Sequence, residues 1–366
     1  MVVGVPGEIK PDEYRVALIP VGVEELRRRG HRVLLQRGAG EGSGIGDALY
    51  AEHGAHVVAS PRAVYEAADL VVKVKEPLPQ EYGLLREGQT VFCFFHFAAS
   101  RPLTEAMLGA RIVAVAYETI RTPDGRLPLL TPMSEIAGKM SIQEGAKYLE
   151  RPMMGRGILL GGVPGVDPAN VLVLGGGTVG TNAAKTAAGL GARVTVADVD
   201  LGRLRYLDDI MPRNVTTIYC DAHVLREKIP EADLVVGAVL RRGARAPVLV
   251  TEDMVKTMKQ GAVIVDVSVD QGGCVETVEP TTHHDPVRVK HGVVHYGVAN
   301  MPGAVGRTAT YALTNATLPF LLQLADQGFE RAAAESPAIR SGLNLVRGKV
   351  TNEAVAQTFD LPLHEA

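Results

Sequence analysis

Arg15, Lys75, His96, Asp270 and Asn300 bring together two cations, an imidazole, a carboxylate and an amide. Four of them close short apolar runs. Lys75 ends Leu70-Val-Val-Lys-Val-Lys75, and His96 ends Val91-Phe-Cys-Phe-Phe-His96. Asp270 ends Val263-Ile-Val-Asp-Val-Ser-Val-Asp270, and Asn300 ends Val298-Ala-Asn300. Arg15 lies in the segment that follows the first apolar run, at the N-terminus. In open parallel sheets, ligands bind outside the carboxyl ends of the strands, so these positions face the place where chemistry is done. Arg and Lys suit a carboxylate and an adjacent carbonyl. An imidazole titrates in the range useful for proton transfer. Each residue also has a purely structural use. Lys75 could be a solvated strand end, Arg15 a partner of Glu8 or Glu13, His96 a satisfied core residue, and Asp270 a cap for Gln271-Gly-Gly. Their convergence on strand ends favours the chemical use.

The other signal is steric. Val171-Leu-Val-Leu-Gly175-Gly-Gly177-Thr-Val-Gly180-Thr-Asn-Ala183 places G-x-G-x-x-G directly after an apolar run and before a helical alanine pattern. Gly175 permits the tight turn, Gly177 lets backbone approach a pyrophosphate, and Gly180 lets the helix lie close to the sheet. The free N–H groups and dipole of the helix start favour an anion. The next apolar run ends in Asp198, which can accept from ribose hydroxyls and repels a 2′-phosphate. The pattern therefore predicts dinucleotide binding, with NAD favoured over NADP. The glycines at 38, 40, 42, 44 and 46 do not fit this pattern and read as a strand-to-helix loop.

Elements that could position these residues recur along the chain. Short β-branched runs alternate with helical stretches, which predicts parallel sheets covered by helices. Strands are expected at residues 2–5, 32–36, 56–58, 70–74, 90–95 and 111–115, then at 171–174, 193–197, 215–219, 234–236, 262–267 and 293–298. A helix is expected from Pro132-Met-Ser134 to about Glu150, with Ser134 as its N-cap. Another should cover Thr308 to Asp326, and the tail to Ala366 reads as helical. The fold class expected is α/β: two Rossmann-like, doubly wound parallel-sheet domains with a cleft between them. Residues 1–130 with 307–366 form the substrate domain, and 131–306 the dinucleotide domain.

The 366 residues carry 46% hydrophobic and 22% charged side chains and a formal charge of −3. That is enough apolar mass for a large core, and no long block of like charge supports a nucleic-acid or polybasic membrane role. No uncharged apolar stretch reaches the roughly 20 residues of a spanning helix, and the N-terminus does not read as a signal peptide. The three cysteines, Cys93, Cys220 and Cys274, are too few and too scattered for a disulfide framework, which favours a cytoplasmic setting. His283, His284, His291 and His295 are close in sequence, but adjacent histidines seldom ligate one ion and no H-E-x-x-H occurs, so no catalytic metal is expected.

The residues also resemble a family, the alanine dehydrogenases, which share ancestry with the NAD-binding subunit of proton-translocating transhydrogenases. One signature is Gly4-Val-Pro6-Gly-Glu8-Ile-Lys-Pro-Asp12-Glu13-Tyr-Arg15-Val-Ala-Leu-Ile-Pro20. The other is Val173-Leu-Gly175-Gly-Gly-Thr-Val-Gly180 through Gly191-Ala-Arg-Val-Thr-Val-Ala-Asp198. Lys73-Val-Lys75-Glu-Pro77, Phe94-Phe-His96-Phe-Ala, Pro132-Met-Ser134-Glu-Ile-Ala-Gly138, Asp266-Val-Ser-Val-Asp270-Gln-Gly-Gly273 and His295-Tyr-Gly-Val-Ala-Asn300-Met-Pro-Gly-Ala-Val305 are similar as well. The resemblance implies that Arg15 and Lys75 hold the substrate carboxylate and carbonyl and that His96 and Asp270 are catalytic. It implies cofactor contacts at Ser134, Thr178, Val179, Asp198, Arg203, Cys220, Val239, Leu240, Val267, Asp270, Asn300 and Met301, beside Gly175, Gly177 and Gly180. The activity implied is NAD-dependent interconversion of L-alanine with pyruvate and ammonium, in a hexamer. The alternatives are the transhydrogenase subunit and, in the wider group, a dehydrogenase acting on saccharopine. Departures include Asp12 where Asn is usual, Ile19 for Ser or Thr, Val179 for Ala, Cys220 for Ser and Gly306 for Pro.

Overall fold

The computed structural model describes residues 1–239 and 246–365. Its strands, in chain order, are β1 (Val2–Val5), β2 (Arg32–Gln36), β3 (His56–Val58), β4 (Leu70–Val72), β5 (Thr90–Cys93), β6 (Val113–Ala116), β7 (Asn170–Leu174), β8 (Arg193–Asp198), β9 (Val215–Tyr219), β10 (Leu234–Gly237), β11 (Val263–Asp266), β12 (Val287–Lys290), β13 (Val293–Tyr296), β14 (Leu343–Val346) and β15 (Lys349–Val350). Two compact units result: Met1–Met133 with Gly303–Ala366, and Ser134–Pro302.

In the first unit the sheet runs β15-β14-β6-β5-β4-β1-β2-β3. Strands β1 to β6 are mutually parallel in the 3-2-1-4-5-6 order of a doubly wound fold. In the second, the order is β12-β13-β11-β10-β7-β8-β9, and its parallel strands follow the same winding. The central strands are buried on both faces, so they read as continuous Val, Leu and Ile runs without alternation. One face of the first core gathers Tyr65, Val91, Cys93, Phe95, Met107 and Leu345. One face of the second gathers Leu172, Leu174, Val235, Val255, Ile264 and Cys274.

Helix starts follow local chemistry. Ser60, Ser100, Asp200, Thr251, Ser336 and Asn352 each cap the helix that follows by accepting a backbone N–H. The helix expected to start at Ser134 starts earlier and spans Thr131–Tyr148, so Ser134 sits in its first turn and is not the N-cap. The run expected from Thr308 continues over Gly306–Glu335, with a break at Gly328 (φ 74°, ψ 165°).

One other expectation needs correction. The tail is not wholly helical: β14 and β15 form an antiparallel hairpin, and β14 pairs with β6. Edge strand β12 is likewise antiparallel, to β13. The sheets are therefore mostly parallel with antiparallel edges. Edge strands have only one strand partner and one ladder to fill, so their sequences carry a weaker strand signal than the buried centre.

Candidate active site

Both sheets reverse strand order at a switch point, where loops leave neighbouring strands in opposite directions and open a crevice. In the first unit this lies between β1 and β4. Glu8, Glu13 and Arg15 follow β1, and Lys75 follows β4. Arg15 is 3% exposed. Its Nε donates to Glu13 Oε1 at 2.6 Å, its Nη2 donates to Glu13 Oε2, and its Nη1 lies 3.0 Å from Met133 Sδ. The structural use expected of Arg15 is therefore real, and the carboxylate holds the guanidinium in a fixed orientation. Partial burial pushes the Lys75 ammonium below the ordinary lysine value, and the positive charges of Arg15 and Lys10 push it the same way. Arg15 and Lys75 are thus electrostatically coupled cations in one corner of this unit, with Glu13 and Glu76 offsetting part of that repulsion.

His96 follows β5, the next strand along, and is exposed. It is not buried in the core. Its backbone is left-handed (φ 52°, ψ 42°), which is uncommon for a residue with a Cβ. The ring stacks on Phe94, with centroids 5.7 Å apart and planes 1° off parallel. Met133 is the thioether beside Arg15, whereas Tyr117 is fully buried, edge-on to Phe92 and Phe94.

In the second unit the switch point lies between β7 and β10. Gly175 has φ 99°, and a Cβ there would meet Ala238 O at 2.6 Å. A Cβ on Gly180 would meet Gly175 O at 1.8 Å, whereas one on Gly177 would meet nothing within 4 Å. Two glycines are therefore demanded by packing, and Gly177 leaves open space at the start of the helix Thr178–Gly189, which no side chain caps. This cradle fits a diphosphate. Asp198 ends β8, and its Oδ2 accepts from Gly176 N at 2.5 Å while its Oδ1 accepts from Asp200 N at 2.9 Å. Arg203 donates from Nε to Gly176 O at 2.5 Å and from Nη2 to Thr181 Oγ1 at 2.6 Å. Thr178 and Val179 open the helix, and Cys220 follows β9, its N–H bonded to Asp198 O.

Val239 donates its N–H to Ser268 Oγ at 3.0 Å, which ties the loop after β10 to the short turn Val267–Gln271 after β11. That turn carries Val267 and an exposed Asp270. Asn300 (φ 56°) and buried Met301 follow β13. Ser134 is half-buried at the start of its helix. Leu240 lies outside the described residues. The histidines disperse: His291 contacts Glu252, buried His295 contacts Thr277, and His283 contacts Asn300 O. Among the described residues no group of His, Cys, Asp or Glu is arranged to hold a metal, and no helix is long and apolar enough to cross a membrane.

The sequence descriptors of one family account for both units. The N-terminal domain of alanine dehydrogenase/PNT matches residues 4–137, and its C-terminal domain matches residues 141–353. The chain belongs to the alanine dehydrogenase/PNT family. Within that family it is 54% identical over 363 residues to a protein of Methanococcus maripaludis called alanine dehydrogenase, covering 99% of this chain and 97% of that one. A solved L-alanine dehydrogenase superimposes with a TM-score of 0.95 at 50% identity, over 98% of this chain and 99% of that one. A transhydrogenase structure from Sinorhizobium meliloti is more distant, with a TM-score of 0.82 at 27% identity over 97% and 100% of the two chains. Membership of the alanine dehydrogenase/PNT family, with the glycine cradle, implies a nicotinamide dinucleotide cofactor.

Sequence reasoning missed what the carboxylates behind the site hold. Glu8 accepts from Val74 N at 2.7 Å and Lys75 N at 3.4 Å, and buried Lys73 lies between Glu8 and Glu81. Asp266, 1% exposed, accepts from Ser268, Cys274 and Val275 N–H groups and so shapes the turn bearing Asp270. A carboxylate inside or beside an apolar run, such as Asp266 in Val263-Ile-Val-Asp, was the available signal.

Proposed function

We propose that the protein is an L-alanine dehydrogenase that uses NAD to convert L-alanine reversibly into pyruvate and ammonium. The observation that carries this reading is the cationic corner of Arg15 and Lys75, in the same unit as His96. A small anionic substrate needs fixed positive groups, and a deaminating centre needs a proton carrier. Bound at the glycine cradle through Gly175, Gly177, Thr178, Val179 and Gly180, the cofactor supplies the hydride acceptor, or the donor in reverse.

Arg15 and Lys75 grip the carboxylate and, in pyruvate, the carbonyl oxygen. This fixes the Cα–H bond of alanine in one orientation, a contribution of about 7–11 kcal/mol to lowering the barrier in well-oriented reactions. Once the substrate is oxidised to the iminium, His96 takes a proton from water as its oxygen adds to the carbon. It returns a proton to nitrogen, and as the C–N bond breaks the hydroxyl proton passes back to the ring while the carbonyl of pyruvate forms; the departing ammonia then takes up that proton as ammonium. Such transfer contributes roughly 10²–10⁴-fold. Asp270 favours the cationic nitrogen. Asp198 accepts from the adenosine ribose and disfavours a 2′-phosphate, which supports NAD as the specific cofactor. Ser134, Arg203, Cys220, Val239, Leu240, Val267, Asn300 and Met301 complete the cofactor contacts. The reading extends to a cytoplasmic homohexamer, supported by family resemblance and by three buried free thiols.

The test is NADH oxidation by the purified protein with pyruvate and ammonium, alongside other 2-oxo acids. Turnover with pyruvate, without a membrane partner, is expected. No turnover would remove the dehydrogenase reading in favour of a transhydrogenase subunit. His96→Ala should abolish most turnover while leaving NADH affinity near the parent value. Arg15→Ala should raise the pyruvate KM and lower kcat.

A further inference from the structure

We infer that Glu118 is a positioning residue for His96. The inference rests on His96 carrying the proton in the reaction proposed above. Strands β5 and β6 are parallel neighbours with Cys93 opposite Ala116. Two residues past that pair, Phe95 and Glu118 leave the sheet edge side by side. Glu118 Oε1 accepts the His96 N–H at 2.6 Å, and Oε2 accepts the Phe95 N–H at 3.3 Å. Both oxygens of one carboxylate thus hold two consecutive amides, and the bonds are charge-assisted.

The clamp acts where the backbone needs it. His96 adopts the left-handed conformation, which surrounding structure must over-determine in a residue with a Cβ. The same short turn, Tyr117–Thr119, also supports the ring. Tyr117 packs edge-on against Phe94 at 5.0 Å, and Phe94 carries the stacked imidazole. One turn after β6 therefore governs both the peptide and the ring platform of His96. Glutamine in place of Glu118 presents one acceptor and one NH2 group to two N–H donors, so one of the two bonds is lost.

The experiment compares Glu118→Gln, His96→Ala and the double variant, measuring pyruvate-dependent NADH oxidation, NADH affinity by fluorescence and thermal unfolding. Glu118→Gln should lower kcat roughly 10- to 100-fold, the scale of a small misplacement of a reacting group. The pyruvate KM and NADH affinity should stay within about threefold, since Glu118 places its two oxygens on backbone amides. In the His96→Ala background the same substitution should cost less than about threefold, because nothing remains to be positioned. If Glu118→Gln does not fold, Glu118→Asp, which keeps the charge but shortens the reach, should show the same split between kcat and KM. Parental kcat in a folded Glu118 variant overturns the inference, as does an undiminished loss in the His96→Ala background. Full turnover of His96→Ala alone would instead overturn the acid–base assignment of the proposed function.

Discussion

A lysine held beside an arginine gives up its proton early. Burial and then the charges of Arg15 and Lys10 lower the Lys75 pKa, so its cationic form is lost as pH rises through a value below that of an ordinary lysine. The expected outcome is an alkaline limb in kcat/KM for pyruvate that Lys75→Arg moves to higher pH, because a guanidinium stays charged. Because the bound anion stabilises the ammonium, the limb should be weaker in kcat alone. A pH profile of both variants checks this, and identical limbs would place the titrating group elsewhere. Asp198 makes a second residue-scale prediction. Asp198→Ala should weaken the preference for NADH over NADPH, read as the ratio of their kcat/KM values. The substitution also removes the bond to Gly176 N, so NADH affinity should fall too.

At the scale of elements, glycine positions separate packing from strain. Gly180→Ala sets a Cβ against Gly175 O in the switch-point turn, and the helix Thr178–Gly189 must move off the sheet. NADH binding measured by fluorescence should be lost, even where circular dichroism shows retained secondary structure. Gly328 differs: nothing lies within 4 Å of its added Cβ, but its backbone at φ 74°, ψ 165° is a region open almost only to glycine. Gly328→Ala should therefore destabilise the folded chain by about 1–3 kcal/mol with little change in KM, which thermal unfolding and steady-state kinetics together can read.

At the scale of the whole chain, the first unit closes late. Its sheet uses strands from both ends of the sequence, since β14 pairs with β6 after the entire second unit has intervened. Ending the chain at residue 342 deletes Leu343 and Leu345, 2% and 0% exposed, and opens the β6 edge. Loss of two such side chains removes about 1.5–3 kcal/mol each, before the cost of an open edge. The truncated protein should aggregate or unfold at lower temperature, as light scattering and calorimetry would show.

The residue order by itself determined the parts whose physics is local. The glycine turn, its helix and Asp198 were legible because close backbone approach excludes any side chain at set spacings. The central strands were legible because burial on both faces leaves unbroken β-branched runs. Lys75, His96 and Asp270 were legible as residues just past strands, and Arg15 as part of the segment after β1, because those apolar runs are unbroken. Only the tertiary structure decided what depends on partners distant in sequence: the β14–β15 hairpin on β6, the antiparallel β12, and the earlier helix start at Thr131. It also decided that Glu8, Glu118 and Asp266 each spend a carboxylate on backbone amides beside a site residue. A hydrogen bond between Glu118 and His96 leaves no periodicity in the sequence, because it arises from the register of two parallel strands.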